Sequence, residues 1–196
     1  SDVYKRQWLF FLGIFCYVST EQGTSIFMST FLEQYHGVNP QTDGAQAVSY
    51  FWGLMTAGCL VGMLLLKLID SKRLLQISGV LTIVLLLSAL FGSKGIALIA
   101  FPAVGFSISM MYSIVFSLAL NSASQHHGSF AGILCSAIVG GAGGPMFVST
   151  IADATSLRTG MLFILVFVGY ITFIGFWARP LINNKTVKLK KLFKKA

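Results

Sequence analysis

Apolar residues along the chain fall into six long runs separated by short polar linkers. A helix that crosses a bilayer needs about 20 mainly apolar residues, and all six runs qualify by this criterion. The linkers between them, such as HGVNPQTDG and DSKR, are too short to hold a water-soluble domain. The pattern therefore predicts an all-α integral membrane fold with six transmembrane helices, at 8–35, 45–69, 74–91, 95–121, 128–152 and 157–178.

Basic residues are distributed unevenly between the two sides of this predicted array. If the helices alternate in direction, and Lys5 and Arg6 near the start are left out, ten basic residues lie on one side and two, Lys94 and Arg158, on the other. Because Lys and Arg accumulate in cytoplasmic loops, we predict a multi-pass protein of the bacterial inner membrane with both termini cytoplasmic and the linker 36–44 external. The ten cytoplasmic residues are Lys67, Lys72, Arg73, Arg179 and the six lysines of the C-terminal tail.

The composition agrees with a membrane protein and disfavours soluble enzymes. The chain is 55% hydrophobic and 10% charged, with a mean hydropathy of +0.78, whereas soluble domains carry about 25% charged residues. The net charge of +8 is concentrated in the tail, which favours contact with anionic membrane lipid rather than nucleic acid. We predict a transmembrane domain at 8–179, followed by a basic cytoplasmic tail at 180–196.

The first seven residues, SDVYKRQ, look like translated adaptor sequence and are expected to be a non-native leader. The chain has no initiator Met, so we expect it to be a fragment or a processed product. Cys16, Cys59 and Cys135 lie far apart in apolar runs, which predicts small core residues rather than disulfides or metal ligands. Neither a metal nor another cofactor is expected.

Polar or small residues recur at every fourth position in two of the predicted spans, and so form one line along each helix. Such residues are expected to face a protein interior or water rather than lipid. The third and sixth spans lack such lines and are expected to face lipid. The lines are Tyr17, Glu21, Ser25, Ser29 and Glu33 in the first span, and Gly105, Ser109, Ser113, Ser117 and Asn121 in the fourth.

The fifth predicted span carries a similar line of small residues, which includes Gly132, Gly140 and Gly144 and ends before Pro145. Small residues at this spacing allow helices to pack closely, and they can also form a moving or gating contact. Pro145 removes one backbone donor, so a local bend is expected there. We therefore expect these four residues to serve helix packing or a hinge.

Glu21 is the most informative of these polar residues. A carboxylate near a bilayer centre costs about 2.5–3.5 kcal/mol on insertion scales. No Lys or Arg lies deep in any predicted span to pair with it. Glu21 is then protonated, hydrogen-bonded inside the helix bundle, or exposed to a water-filled cavity, and a functional role is favoured over a structural one.

Four stretches, in order along the chain, resemble the major facilitator superfamily and, within it, the fucose–galactose–glucose:proton symporter family. They are YVSTEQG, where that family usually has YVGxE, then GAQAVSYFWGLMTAGCLVGMLLLK, MYSIVFSLALN and GILCSAIVGGAGGP. The similarity extends over nearly all of 8–179 and is to the C-terminal six-helix half of a sugar permease. It implies secondary active, proton-coupled transport of a hexose or deoxyhexose by alternating access, with a missing N-terminal half as partner.

The resemblance also implies roles for individual residues. The family's proton-handling carboxylates lie in the missing half, so Glu21 and its neighbour Gln22 are expected to bind substrate or to form a gate. A carboxylate and an amide together accept and donate the hydrogen bonds that sugar hydroxyls make. Secondary candidates for the same role, including aromatic rings that can stack on a sugar, are Gln46, Asn121, Tyr17, Tyr50, Trp52 and Tyr112.

The linker DSKR resembles a shortened form of the superfamily's cytoplasmic signature. This implies that Asp70, with Lys72 or Arg73, holds a cytoplasmic gate by charge contacts. Topology marking together with helix capping is the simpler alternative for the same residues.

Other functions remain open for a six-helix membrane chain. An intramembrane enzyme needs a nucleophile and a base buried together, but His36, His126 and His127 all lie in linkers, so the chain is not expected to be an enzyme. The paired Asn-Pro-Ala loops of water channels and the threefold repeats of mitochondrial carriers are absent from the sequence. A transporter of another small polar solute and a non-transporting sensor built on a permease fold are the remaining alternatives.

Overall fold

The computed structural model describes residues 2–122 and 127–179, and in these residues the regular structure is helical throughout. A π-helical turn, Pro40–Gly44, leads into the second helix, and a short 3₁₀ segment, Ala137–Val139, joins the sixth to the seventh. The α-helices of the described residues are α1 (Asp2–His36), α2 (Ala45–Leu68), α3 (Ser71–Phe91), α4 (Lys94–Ile108), α5 (Met111–Leu120), α6 (His127–Ser136), α7 (Gly140–Ala154), α8 (Leu157–Leu162) and α9 (Ile164–Trp177).

Each predicted span coincides with one helix or with two consecutive helices. Helices α1, α2 and α3 contain the first three spans, and α4–α5, α6–α7 and α8–α9 form the others. The predicted all-α, multi-pass membrane fold is confirmed. Helix α1, at 35 residues, is long enough to cross a membrane, but Glu21 and Gln22 lower the hydropathy of its middle. Five other segments qualify by length and composition: Pro40–Leu68, Ser71–Phe91, Lys94–Leu120, Gly128–Ala154 and Leu157–Trp177.

The two ends of the chain were predicted to lie outside the transmembrane domain. Helix α1 begins at Asp2, so residues 2–7 of the expected leader form its first turns. The expected basic tail, 180–196, lies outside the described residues, as does the linker residue His126. Both domain boundaries stay predictions.

Short turns connect the helices by satisfying their ends locally. Helix α1 ends at His36, and the chain reverses direction at Gly37, whose φ of 60° lies in the left-handed region that favours glycine. The Asp70 carboxylate accepts a hydrogen bond from the backbone N–H of Lys72 at 3.1 Å and so caps α3. Ser156 caps α8 in the same way through the N–H of Thr159, at 3.2 Å.

Helices α1 and α7 pack with their backbones in contact. Gly140 lies against the carbonyl oxygen of Phe15, and Gly144 lies against the backbone of Ser19. The Ser19 hydroxyl also donates a hydrogen bond to the carbonyl oxygen of Gly140 at 3.0 Å. Glycine is needed at both positions because any side chain would occupy the space taken by α1.

Helices α2 and α4 approach each other in the same manner. A side chain at Gly58 would meet the Ser109 hydroxyl and would begin 2.9 Å from both Ser109 Cβ and the Phe106 carbonyl oxygen. Gly105, on α4, meets the backbone carbonyl of Phe51. These contacts hold α2 close to the point where α4 ends.

Two spans that the sequence predicts as single helices are interrupted. The fourth breaks at Ser109 and Met110, and the Cys59 thiol of α2 donates a hydrogen bond to the Ser109 carbonyl at 3.4 Å. This contact pairs a backbone group at the break. The fifth tightens to 3₁₀ geometry at Ala137–Val139, two turns before Pro145, which itself lies inside α7. The irregular turn thus lies N-terminal to the proline, on the side where its ring crowds the helix.

The helices differ in how much of their surface this chain covers. Of the most apolar stretch of each segment, 61% is buried in α4–α5, 50% in α8–α9 and 39% in α3, but only 28% in α6–α7 and 17% in α2. Helices α2 and α6–α7 therefore present the largest uncovered surfaces. The large exposed apolar side chains of α3 are aliphatic except for Phe91 at its end, in keeping with the lipid contact expected for the third span; the aliphatic ones are Ile77, Val80, Leu81, Val84 and Leu87.

Candidate functional site

The centre of the candidate site is the polar face of α1 at mid-length. Tyr17 and Glu21 lie one turn apart on this face; Tyr17 is buried, and Glu21 is half-buried. The Gln22 amide donates a hydrogen bond to the Glu21 carboxylate, with Nε2 and Oε1 3.2 Å apart. The ring of Tyr17 packs against that of Tyr112 on α5, with centroids 5.7 Å apart. We call Tyr17, Glu21, Gln22 and Tyr112 the central cluster.

Helix α7 fixes the side of the central cluster that holds Gln22. A side chain at Gly141 would begin 3.5 Å from the Gln22 side chain, so the two are neighbours. The contacts of Gly140 and Gly144 with α1, described above, hold α7 in this place. Gly132 lies on α6 instead, with no atom of another residue within 4 Å of where its side chain would begin, so its predicted packing or hinge role stays a prediction.

The sequence predicts that all three cysteines are core residues, but in the structure they differ in burial. Cys16 is buried, Cys59 is half-buried beside the helix break, and Cys135 is exposed on α6. The prediction is wrong for Cys135, which stays exposed although it lies near Tyr112 of α5. Hydropathy alone does not distinguish an exposed face from a buried one.

Three secondary candidates lie together near the start of α2, away from the central cluster. The Gln46 amide donates a hydrogen bond to the Tyr50 hydroxyl at 2.9 Å. Tyr50 and Trp52 are exposed, and the Trp52 ring packs edge-on against Phe51 at 5.4 Å. None of the described contacts links these residues to Glu21. For them to bind the same sugar as Glu21, a ligand or another protein surface must lie between the two groups.

A groove runs along α5 from the central cluster toward the end of the helix. Its volume is about 470 Å³. The line of small and polar residues in the fourth span divides at the helix break. Gly105, before the break, and Ser109, at the break, pack against α2. Ser113 and Ser117, after the break, are exposed to the groove. The groove is lined by Tyr112, Ser113, Phe116, Ser117, Leu120 and Asn121.

The predicted cytoplasmic gate residues have a local role in this structure. Asp70 caps α3 through the N–H of Lys72, while Arg73 is exposed. Among residues 2–122 and 127–179 no acidic and basic side chains form an ion pair within 4 Å. Helix capping is thus the contact that Asp70 makes here, and the charge-mediated gate stays a prediction.

Curated proteins similar to this chain are named as sugar transporters. The Glucose/galactose transporter of Brucella abortus is 34% identical over 174 residues, which cover 88% of this chain and 42% of that protein. The Putative glucose/galactose transporter of Helicobacter pylori is 31% identical over 153 residues, 78% of this chain and 37% of that protein. The chain thus spans less than half the length of these relatives. No protein-family model matches it.

Solved structures give the same answer for the fold. A major facilitator superfamily transporter, FucP, in its outward conformation matches 89% of this chain with a TM-score of 0.82 at 18% identity, using 42% of its own length. The chain therefore has the fold of one half of such a transporter. The Escherichia coli fucose:proton symporter FucP gives the same TM-score over 88% of the chain. These likenesses agree with the resemblance stated from the sequence motifs.

The structure also contains a cluster that the sequence analysis missed. The Arg158 guanidinium, at the start of α8, lies 4.4 Å from the ring of Tyr35 and 5.6 Å from that of Phe91. The backbone N–H of Arg158 donates to the Tyr35 hydroxyl at 3.3 Å. These contacts tie together the ends of α1 and α3 and the start of α8 by cation–π attraction. The hint in the sequence was a lone arginine on the side that otherwise carries only Lys94.

Proposed function

We propose that this chain is the C-terminal half of a proton-coupled sugar transporter that works by alternating access. The observation that carries the proposal is the central cluster, in which a paired carboxylate and amide lie beside two packed tyrosines in the middle of a membrane bundle. Sugar hydroxyls both donate and accept hydrogen bonds, and the C–H face of a sugar suits an aromatic ring. Glu21 and Gln22 supply the former partners, and Tyr17 and Tyr112 the latter.

The uncovered helices support the other part of the proposal, that a second half completes the transporter. Helices α2 and α6–α7 bury only 17% and 28% of their most apolar stretches within this chain. The similar proteins and structures are more than twice as long as the matched region. We assign the missing partner to an N-terminal six-helix half, and place proton handling there, with Glu21 acting on the sugar.

The orientation follows from the basic residues. We place the protein in the bacterial inner membrane with both termini cytoplasmic, since Lys67, Lys72 and Arg73 cluster at one end of α2 and α3. The central cluster then lies near the membrane midplane, and the α5 groove lies on its cytoplasmic side.

Replacement of Glu21 tests the proposal in the intact transporter. Glu21→Gln removes the negative charge and leaves a side chain of the same size. We expect the KM for sugar uptake to rise about tenfold, because hydrogen bonds to a charged group are stronger than neutral ones by this order. Uptake of labelled glucose, galactose and fucose at several pH values measures the effect.

Glu33→Gln serves as the matched control, since Glu33 lies on the same line of α1 but is exposed near its end. Uptake by the Glu33 variant should match wild type. If Glu21→Gln leaves KM and maximal rate unchanged at every pH, Glu21 has no part in sugar binding or gating. Absence of uptake of every sugar tested, in wild type, would contradict sugar transport itself.

A further inference from the structure

Two serines in the α5 groove differ from the serines near them. Ser122 and Ser136 each donate to a carbonyl of their own helix, at 2.7 Å in both cases, as hydroxyls in membrane helices commonly do. Ser113 and Ser117 are exposed, and their hydroxyls make no hydrogen bond within residues 2–122 and 127–179. In a membrane span an unpaired hydroxyl needs water, a ligand or a polar group of the second half, because lipid cannot bond to it.

An aromatic surface lies next to these hydroxyls. The rings of Tyr112 and Phe116 are stacked, with centroids 5.8 Å apart and an angle of 21° between their planes. Both are half-buried and both line the groove with Ser113 and Ser117. One side of α5 thus combines a flat apolar surface with two free hydroxyls, and the side chain of Asn121 lies at its far end.

There is room for a small ligand over this surface. The groove volume, about 470 Å³, falls in the range of small-molecule sites, about 300–1,000 Å³. The neighbouring helix α6 carries Gly128 and Gly132, and no atom of another residue lies within 4 Å of where their side chains would begin. These glycines are therefore not used to pack helices within this half.

We propose that the α5 groove is a second binding station for the transported sugar, on the predicted cytoplasmic side of the central cluster. This inference rests on the proposed function. The stacked rings of Tyr112 and Phe116 take the C–H face of a monosaccharide, and Ser113, Ser117 and Asn121 bond its hydroxyls. Tyr112 belongs to both stations, because its ring also packs against Tyr17 at 5.7 Å, so a sugar can move between them without leaving an aromatic surface.

If the α5 groove binds sugar on the cytoplasmic side, a substitution in it should change the KM from that side more than the KM from the external side. In the intact transporter, Ser117→Ala should raise the KM for sugar entering from the cytoplasmic face by about three- to tenfold, the usual effect of one lost hydrogen bond. The KM from the external face should change less than about twofold. Inside-out and right-side-out vesicles measure the two values. Ser149→Ala is the control, since the Ser149 hydroxyl bonds to its own helix at Met146.

Alkylation gives a second readout that does not depend on transport rate. In a background without the native cysteines, Ser113→Cys should react with a maleimide from the cytoplasmic face, and a saturating transported sugar should slow the reaction at least threefold, while its mirror-image isomer should not. Equal KM changes from both faces, or no protection by sugar, would overturn the inner station and leave the proposed function intact. Wild-type vesicles that transport none of the sugars would overturn the proposed function and this inference with it.

Discussion

Gly132 and Gly140 stand on the same line of the fifth span, yet their surroundings are opposite. Gly140 is pressed against the carbonyl oxygen of Phe15, whereas Gly132 has open space where a side chain would begin. The spacing of small residues, which is the same for both, does not reveal which of them is in contact. The difference arises because α7 packs along α1, whereas α6 makes few contacts with α1.

This contrast gives a prediction for the intact protein. Gly140→Ala should destabilise it by about 1–3 kcal/mol, because the added methyl group forces two backbones apart and overpacking of this kind is costly. Thermal unfolding in detergent should then show a midpoint several degrees lower. Gly132→Ala is the matched control and should leave the midpoint unchanged. Equal effects of the two substitutions would mean that α6 and α7 pack alike in the intact protein.

For single residues, the sequence predicted the helix face on which a side chain lies, but not the residues that it contacts. The fourth-residue spacing placed Tyr17 and Glu21 on one polar face of α1, and the structure has both on that face. It did not indicate the Ser19 contact with Gly140 or the rings around Arg158. Those contacts join residues more than 60 positions apart, and no local pattern specifies such a pairing.

At the scale of elements, the fourth span shows what hydropathy leaves out. Its apolar character continues across Ser109 and Met110, so a single helix was predicted, and yet α4 ends at Ile108. The break is accompanied by contacts from α2: the Cys59 thiol bonds the Ser109 carbonyl, and Gly58 admits the Ser109 side chain. A break supported from another helix cannot be recognised in the sequence of the broken one.

A buried hydroxyl pair tests the packing of α3 on α4. Thr82 and Ser107 are 0% and 4% exposed, and their hydroxyl oxygens lie 2.7 Å apart. Thr82→Val and Ser107→Ala should each destabilise the protein by about 1 kcal/mol, since each removes the bond between the two hydroxyls, while the remaining hydroxyl keeps its bond to a carbonyl of its own helix. The double variant should cost less than the sum of the two.

The comparison is a double-mutant cycle of unfolding midpoints, in detergent, on the intact transporter. Thr56→Val is a suitable control, because the exposed Thr56 hydroxyl bonds to its own helix at the Trp52 carbonyl. Strict additivity of the Thr82 and Ser107 substitutions would show that their hydroxyls do not interact.

At the scale of the whole molecule, the fold was predictable because its signal is repeated along the chain. Six apolar runs predict the multi-pass helical fold, and four motifs in order give the resemblance to the superfamily. The arrangement of these helices was less accessible. The sequence does not indicate that α2 is the least buried of the qualifying segments. Burial depends on which helix faces are covered by another surface, and hydropathy assigns the same value to lipid-facing and partner-facing apolar residues.

The orientation in the membrane can be tested by the side from which single cysteines react. In a background without native cysteines, Thr42→Cys should react with a membrane-impermeant maleimide in intact cells, because Thr42 is exposed in the turn predicted to be external. Ser71→Cys, at the start of α3, should react only after the cells are permeabilised. The reverse pattern would invert the proposed topology.

The largest-scale prediction is that this chain needs its partner to transport. An alternating-access site lies between two halves, and the central cluster supplies contacts from one side only, through Glu21, Gln22 and two tyrosines. Purified and reconstituted alone, the chain should show no saturable counterflow of labelled sugar. Co-expression with the N-terminal half as a separate polypeptide should restore it, and Glu21→Gln should weaken the restored activity. Saturable exchange by this chain alone would mean that six helices form a complete sugar site, and would remove the need for the second half.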